Sequence, residues 1–566
     1  MAETWRVRPA NADNARGLAD GLGVRGLTAR ILAARGFSTI ESAERFLLPR
    51  LSDLRPPLGI ADLDRAIDRI LVASKNGEKV AVFGDYDVDG ITSAAILIGL
   101  VRALGLSVVA RAAKRSSGYG FSPADAAFFV EQGCTLVLTG DCGTSDVESL
   151  AFCRSRGVDV IVIDHHHVPT GESQAFALLN SHRQDDAFPF KGLASCGVAF
   201  YLAAAVRSRL RAEGNGKGDN IDPRSWLDLV ALGTIADLVP LTDENRILVA
   251  AGLRELAAMR RPGITALAAV AGLSPSPLGT TDVSFRLAPR LNAAGRLGDA
   301  QLALDLLLSS DASEANGLAA KLDDLNRERQ RIQERIWSEA DAAAAEYAGE
   351  PALVLGAEGW HQGVVGIVAA KLVDKYRKPV VIIGFNEGYG RGSARTLGGF
   401  DLYQALAQCR EYLSVFGGHP MAAGVSLSQE NLAGFRVAFV AVARAHFAAR
   451  PAMETIEVDA VASLSDLDRV QIEELARLGP FGNANSEPLI AVPGVVARST
   501  RVVGTSHLQL TLVQGSAVIE AIAFGMGDKD PGQGARLDVL GAAEVDEFRG
   551  QRKIRLRLRH LMRSVS

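Results

Sequence analysis

The sequence predicts an α/β protein in which a doubly wound parallel sheet is joined by a long helix to a second, smaller α/β domain and then to a small β-barrel. Three observations predict it. Between about residues 78 and 164, short β-branched runs alternate with helical stretches. A charged, proline-free segment spans 312–347, and a strand–helix–strand pattern follows it. From about 451 the chain turns to short strands separated by Gly, Asn and Ser. A chain of 566 residues also exceeds what one core holds; at about 150 residues per domain, three or four are expected.

In chain order, 79–84 (KVAVFG) reads as a buried strand and 91–104 as a helix. Strands at 107–110, 135–139 and 158–163 then alternate with helices at 123–132 and 145–156. Continuous apolar β-branched runs imply parallel strands covered on both faces, and right-handed crossovers wind them into one sheet. A mainly helical region runs from 197 to about 308. In 312–347, Leu318, Leu322, Leu325, Ile332 and Ile336 recur at heptad-like steps. That spacing suits an amphipathic helix on one neighbour or a connector between domains; its place between two α/β patterns favours the connector. The second α/β unit uses PALVLG, a helix at 363–376 and KPVVIIGF, and runs to about 447. The expected division is 1–75, a segment packing on the core; 76–300, the first α/β domain; 301–348, the connecting helix; 349–450, the second α/β domain; and 451–566, the barrel.

Lys+Arg is 61 and Asp+Glu 65, a formal charge of −4. A surface that is basic throughout is excluded; a local basic groove is not. Cys134, Cys142, Cys153, Cys196 and Cys409 lack paired short spacing, so neither a disulfide framework nor a structural zinc is expected. The first 18 residues show no basic stretch leading into an apolar run, and no apolar run reaches the ~18 residues of a membrane span. The expected setting is the cytoplasm, with no membrane association.

The chemistry lies where the first-domain strands end. One runs into Asp85-Tyr86-Asp87-Val88-Asp89-Gly90, another into Gly140-Asp141, a third into Asp164-His165-His166-His167. Ligands of an open parallel sheet bind beyond the carboxyl ends of its strands, so these acids and histidines share one edge. Asp237, in ALGTIADLVPL, is a further contributor. Crowded carboxylates repel one another unless a divalent cation neutralises them; Asp with neutral His suits Mn²⁺, Mg²⁺ or Fe²⁺. A calcium loop counted from Asp85 would need Glu where Ile96 stands. With no Walker lysine loop, no GxGxxG after the first strand and no GxSxG, hydrolysis of a phosphoanhydride or phosphodiester is the reading left.

In order, GDYDVDGITSAAI, TGDCGTSD, VIDHHHVP and ALGTIADLVPL resemble the four motifs of the DHH phosphoesterase superfamily. FPFKGLASCGVAFYL, LAPRLNAAGRL and GWHQGVVGIVAAKL resemble its single-strand-specific DNA exonucleases; GRGSARTLGGFDLYQAL and FGGHPMAAGVSL resemble the DHH-associated domain; LGPFGNANSEP and HLQLTLVQGSAVIEAIAFGMG resemble that branch's OB fold. The resemblance implies 5′→3′ hydrolysis of single-stranded DNA to nucleoside 5′-monophosphates by a two-metal mechanism, with two Mn²⁺ or Mg²⁺ ions, in DNA repair and recombination. The alternative is a DHH phosphodiesterase acting on short oligonucleotides or cyclic dinucleotides, which leaves the barrel unexplained. It further implies a monomer, with a helicase and a single-strand-binding protein as partners. Carried over by residue, Asp85, Asp87, Asp89, Asp141, His165 and Asp237 are the metal ligands, and His166 faces the scissile phosphate. His167 is an extra histidine at the rim.

Arg115, His182, Arg290, Asn292, Arg296, Ser393, Arg395 and His419 are the expected substrate contacts, with His361 a weaker one. Guanidinium forks match phosphate oxygens, and glycines allow the backbone to come close. The chain departs from the family at AAKRSSGYG, which lacks a usual Pro before the turn, at NSH around His182, and at FGGHP around His419. In RGQRKIRLRLRHLMR, Arg555, Arg557 and Arg559 alternate with Leu556 and Leu558. On a strand this puts the arginines on one face, where they form a platform for a single strand or a solvated face that deters aggregation.

Overall fold

A computed structural model describes residues 4–115, 118, 120–449, 455–504, 506–548 and 551–564. The chain begins with β1 (Thr4–Val7) and the helices α1 (Ala12–Leu22), α2 (Gly26–Ala34), α3 (Ile40–Leu47) and α4 (Leu63–Asn76). A parallel sheet follows, made of β2 (Val80–Gly84), β3 (Val108–Ala112), β4 (Leu136–Gly140), β5 (Asp159–Ile163) and β6 (Ala177–Leu179), in the order β3-β2-β4-β5-β6. Val80 and Val82 join the core beneath α4 and α5 (Val88–Ala103), whereas Ala81 and Phe83 join the one beneath α6 (Pro123–Glu131) and α7 (Val147–Ser155). Alternate side chains thus enter opposite layers, as the pleat requires, which is why these runs are apolar throughout.

One boundary differs in a way that matters. α5 begins at Val88, three residues before the expected start, because Asp87 caps it by accepting from Gly90 N at 3.1 Å. The acidic hexapeptide is therefore a helix start, and Asp89 sits in its first turn.

The helical region comprises α8 (Ser195–Ala212), α9 (Leu227–Ala236), α10 (Asp243–Ala258), α11 (Pro262–Val270), the single turn α12 (Thr280–Asp282), α13 (Ala288–Leu297) and α14 (Gln301–Leu308). A π-helical turn, Val283–Leu287, joins α12 to α13. α15 (Ala312–Glu346) is 35 residues long. Its Ala315, Ala319 and Leu322 lie in the first-domain core, and its Ile336, Ala340 and Ala344 in that of the second domain. One helix belonging to two cores is a connector.

The second domain holds β7 (Leu353–Glu358), α16 (Val365–Tyr376), β8 (Val380–Asn386), β9 (Tyr389–Arg395), α17 (Leu402–Gln408), β10 (Val415–His419), β11 (Ala422–Ser428) and α18 (Leu432–Ala449). Its sheet order is β10-β11-β9-β8-β7, and only β7–β8 is parallel. After β12 (Thr455–Val458), β13 (Ala460–Val461) and α19 (Arg469–Ala476) come β14 (Ile490–Val503), β15 (His507–Gln514), β16 (Ala517–Ala523), β17 (Arg536–Phe548) and β18 (Gln551–Arg563). The last five close as β14-β15-β16-β18-β17 with β17 back on β14, and β16–β18 is the parallel pair. That closure is an OB-type barrel.

The first 75 residues, expected to pack on the core, divide their contacts. α4 packs under the catalytic sheet, whereas Leu18, Leu27, Ile31 and Leu47 join the barrel core, and β1 pairs with β12. All five cysteines are free and buried. Among the described residues no helix is long and apolar enough to cross a membrane.

Candidate active site

Four elements bring the acids together. Asp85 follows β2, Asp141 follows β4, His165 and His166 follow β5, and Asp237 follows α9. Asp89 is held by the start of α8, its two oxygens accepting from Ser195 N (2.8 Å) and Cys196 N (3.0 Å). Ser195 Oγ also donates to Asp141 Oδ1 at 3.0 Å. α9 lies this close to α5 because Gly233 carries no side chain; a Cβ there would stand 2.4 Å from Thr92 Oγ1 and 2.8 Å from Asp89 Oδ1. Asp141 itself has φ +65°, a left-handed conformation that aspartate tolerates better than most residues.

His165 Nε2 stands 3.3 Å from both Asp141 Oδ1 and Asp237 Oδ2. Three overlapping triplets have donor atoms within 4.8 Å of one another: Asp85, Asp87 and Asp141; Asp89, His165 and Asp237; and Asp141, His165 and His166. Asp141 and His165 are each shared by two triplets, so the donors form one continuous cluster.

Electrostatically the cluster is incomplete. Burial, reinforced by neighbouring carboxylates, raises Asp85 and Asp141 well above the usual carboxylate range and lifts Asp237 to about 9. Both oxygens of Asp85, Oδ2 of Asp237 and Nε2 of His165 are buried without a hydrogen-bond partner. Orphaned oxygen and imidazole donors converging on one point are what a hard divalent cation requires. The flanking Cys142 and Cys196 do not compete as ligands, because burial pushes both thiols up.

His166 behaves differently. Burial alone would keep it neutral, but Asp164 accepts from its Nδ1 at 2.8 Å, and nearby carboxylates help raise it to about 9. Asp164 is buried, which by itself raises its pKa, yet the His166 hydrogen bond and charge pull it well below the carboxylate range. It also accepts from the backbone N of His165, His166 and Thr144. Asp164 was absent from the expected site residues, although it opens the same motif.

Beside the acids a cleft of about 910 Å³ opens between the two α/β domains, lined by Tyr86, Arg115, Arg296, His361 and Gly417 among others. Arg115 lies over the Tyr86 ring at 4.1 Å and donates to Gly295 O at 2.9 Å. Gly295 is needed for that approach, since a Cβ would come within 2.3 Å of Tyr86 O. Burial, with Arg115, Arg329 and Arg395 nearby, lowers Arg296 to about 10.

Family models match three stretches: the DHH family N-terminal domain at 79–234, the DHHA1 domain at 349–445 and the RecJ OB domain at 458–560. The single-stranded-DNA-specific exonuclease RecJ of Bacillus subtilis (strain 168) is 35% identical over 98% of this chain and 70% of its own length. That of Salmonella typhimurium is 34% identical over 94% of each. The chain belongs to the RecJ family. A crystal structure of RecJ in complex with Mn²⁺ from Thermus thermophilus superimposes with a TM-score of 0.84 at 30% identity, covering 100% of this chain and 80% of that one.

In this RecJ-family chain the expected substrate residues separate into groups. Arg296 donates to Gly363 O at 3.0 Å, and Arg395 to Ser393 Oγ at 2.7 Å, with α16 close above them; a Cβ on Gly366 would stand 3.0 Å from Ser393 Oγ. His361 Nδ1 accepts from Gly363 N at 3.1 Å. His419 is exposed at the end of β10, and burial together with the charges of His166 and His167 lowers it. His167 is exposed; His182 is lowered by burial and by His167. Asn292 is half-buried on α13.

Arg290 is placed elsewhere. Its Nε donates to Asp323 at 2.9 Å, and its other two nitrogens donate to the carbonyls of Arg286 and Val270. The guanidinium clamps α13 to the polar middle of α15, so the expected phosphate contact does not fit. On β18, Leu556 and Leu558 are buried and Arg559 is exposed, but Arg555 pairs with Glu544, and Arg557 with Glu544 and Glu487. Periodicity located that arginine face and could not show its acidic partners.

Proposed function

We propose that the chain is a metal-dependent exonuclease that hydrolyses single-stranded DNA from its 5′ end and releases nucleoside 5′-monophosphates, serving repair and recombination. The observation that carries this reading is the adjacency of two opposed sites: a carboxylate–histidine cluster short of positive charge, and a cleft rich in arginine. Asp85, Asp87, Asp89, Asp141, His165 and Asp237 would hold two Mn²⁺ or Mg²⁺ ions. Bound there, they supply an activated water and charge neutralisation for in-line displacement at phosphorus.

The chain's own residues do the rest. Arg115, Arg296, Ser393 and Arg395 bind the 5′-terminal phosphate and set which bond reaches the cluster. His166, protonated near neutrality and held at Nδ1 by Asp164, faces the scissile phosphate and stabilises the charge that develops there. From Leu238, the residue after Asp237, a groove of about 1320 Å³ runs between α10, the 275–285 segment and the barrel approach 479–487. Leu238 and Phe285, 67% and 76% exposed, line it together with Arg254 and with Arg557, whose partners Glu487 and Glu544 share the wall. Apolar side chains with Arg254 beside them suit unstacked bases and a backbone phosphate, and a duplex offers no free base faces. The strand would leave the cluster along this groove toward the barrel. A helicase and a single-strand-binding protein are its proposed partners, and the chain acts as a monomer.

Digesting 5′-labelled long single strands, duplexes and dinucleotides in Mn²⁺ or Mg²⁺ tests the reading. Mononucleotide release from long single strands is expected. Preference for dinucleotides, with none released from long strands, would favour the phosphodiesterase alternative.

A further inference from the structure

A third cavity, of about 560 Å³, lies where the N-terminal helices, α10 and the barrel approach meet, apart from the catalytic cleft. Arg8, Arg35, Arg45, Arg55 and Arg246 line it, and Asp243 is the one acidic residue on its wall. Four carboxylates answer these five guanidiniums: Glu457 with Arg8, Asp459 with Arg35, and Asp243 and Glu244 with Arg55. Among the described residues, no carboxylate pairs with Arg45 or Arg246. Arg246 is buried, 2% exposed, and donates only to the backbone carbonyls of Phe46, Arg477, Leu478 and Gly479. Its guanidinium lies over the Phe46 ring at 3.7 Å. Carbonyl dipoles satisfy its donors without cancelling its charge, and a buried cation left unneutralised favours an anion nearby. Burial, with Arg35 close by, accordingly lowers Arg246 to about 9. Arg45, exposed at the mouth, donates to Asp53 O and has nitrogens to spare.

We propose that this cavity is a second anion site, taking a phosphate group carried by a nucleotide or by the DNA strand, and that occupancy fastens the barrel to the catalytic domain. The volume suits a nucleoside monophosphate. Phe37 and Phe46, 4.7 Å apart, add an apolar wall beside the cations. Each of the three parts of the chain meeting here contributes a lining residue, so a bound phosphate would tie all three together. It would raise the melting midpoint of the whole protein by mass action.

The test uses the full chain in EDTA at constant ionic strength. Melting is followed with sodium phosphate, with dTMP and with a 5′-hydroxyl oligonucleotide, each compared with chloride alone. Phosphate and dTMP are expected to raise the midpoint saturably. Arg45→Glu should weaken dTMP by about tenfold, the worth of one charged hydrogen bond; in an Arg395→Ala background, where the 5′-phosphate pocket of the catalytic cleft is disabled, Arg45→Glu should still remove the remaining shift. Arg45→Gln, with a smaller loss, guards against misfolding of the charge reversal. Weakening of dTMP alone identifies a nucleotide as the ligand, and weakening of the oligonucleotide as well identifies the strand; both uphold the site. No shift, or a shift that Arg45→Glu leaves undiminished, overturns it.

Discussion

At the scale of single residues, the pair Asp164–His166 separates two roles that the sequence placed side by side. Both belong to one motif, yet Asp164 spends its oxygens on three backbone amides and on His166, so its role is to orient and charge the imidazole. A protonated His166 makes activity fall on the alkaline side, as the imidazole loses the proton that Asp164 holds on it. Asp164→Asn should bring that limb down by at least one pH unit, because the charge that raises His166 is lost; a pH–rate profile of kcat reads the shift. An unmoved limb would separate the histidine from the rate. Asp141→Ala removes a carboxylate shared by two ligand triplets and should abolish hydrolysis, with a far-UV spectrum like that of the unaltered protein. Metal-dependent turnover surviving in that variant would show the ligand assignment to be wrong.

At the scale of elements, α15 shows what periodicity can and cannot convey. Its apolar spacing announced a helix, and its two ends proved to lie in two cores. Its middle is buried but polar, with Asp323, Asn326 and Gln333 facing inward, and a hydrophobic pattern is silent about such a stretch. Arg290 belongs to it through Asp323. Arg290→Ala should therefore cost about 2 kcal/mol of stability, the loss of a buried charged hydrogen bond, and leave KM for the strand unchanged. Urea unfolding together with steady-state kinetics distinguishes this from Arg395→Ala, for which KM should rise with little loss of stability. The parallel strands were legible because strands covered on both faces must be apolar. The early start of α5 was also written in the chain, since Asp87 is a capping residue, but the apolar run that announces the helix begins only at Ile91. The pairing of β1 with β12 joins residues about 450 positions apart, and no local pattern encodes it. Leu238 and Phe285 escaped for the opposite reason: exposed apolar residues outside a periodic run look like loop residues until a groove gives them a common side.

At the scale of the whole molecule, the net charge of −4 is the sum of separated fields. Acids gather at the strand ends, while arginines gather in the cleft and at the junction with the barrel. This makes stability depend on metal and pH together. Asp237 holds its proton to about 9, and Asp85 and Asp141 are raised as well, whereas in the unfolded chain aspartates lose theirs near 3.9. His166, raised to about 9 against about 6.5 when unfolded, also keeps its proton longer in the native state. His165, lowered by burial, acts in the opposite sense but completes its titration near 6.5. Between about pH 7 and 9 the folded protein therefore binds more protons than the unfolded chain, and stability must fall as pH rises, by up to about 1.4 kcal/mol per pH unit for each such group. A cation on the cluster displaces the carboxylate protons and removes their share of the difference. In EDTA, the melting midpoint should drop steadily from pH 7 to 9; in Mg²⁺ it should drop less steeply, because the five buried thiols, all raised by burial, still favour the folded state less as pH rises, so that the gain from metal grows with pH. A midpoint in EDTA that held constant or climbed over that range would mean that the carboxylates are already ionised without a cation.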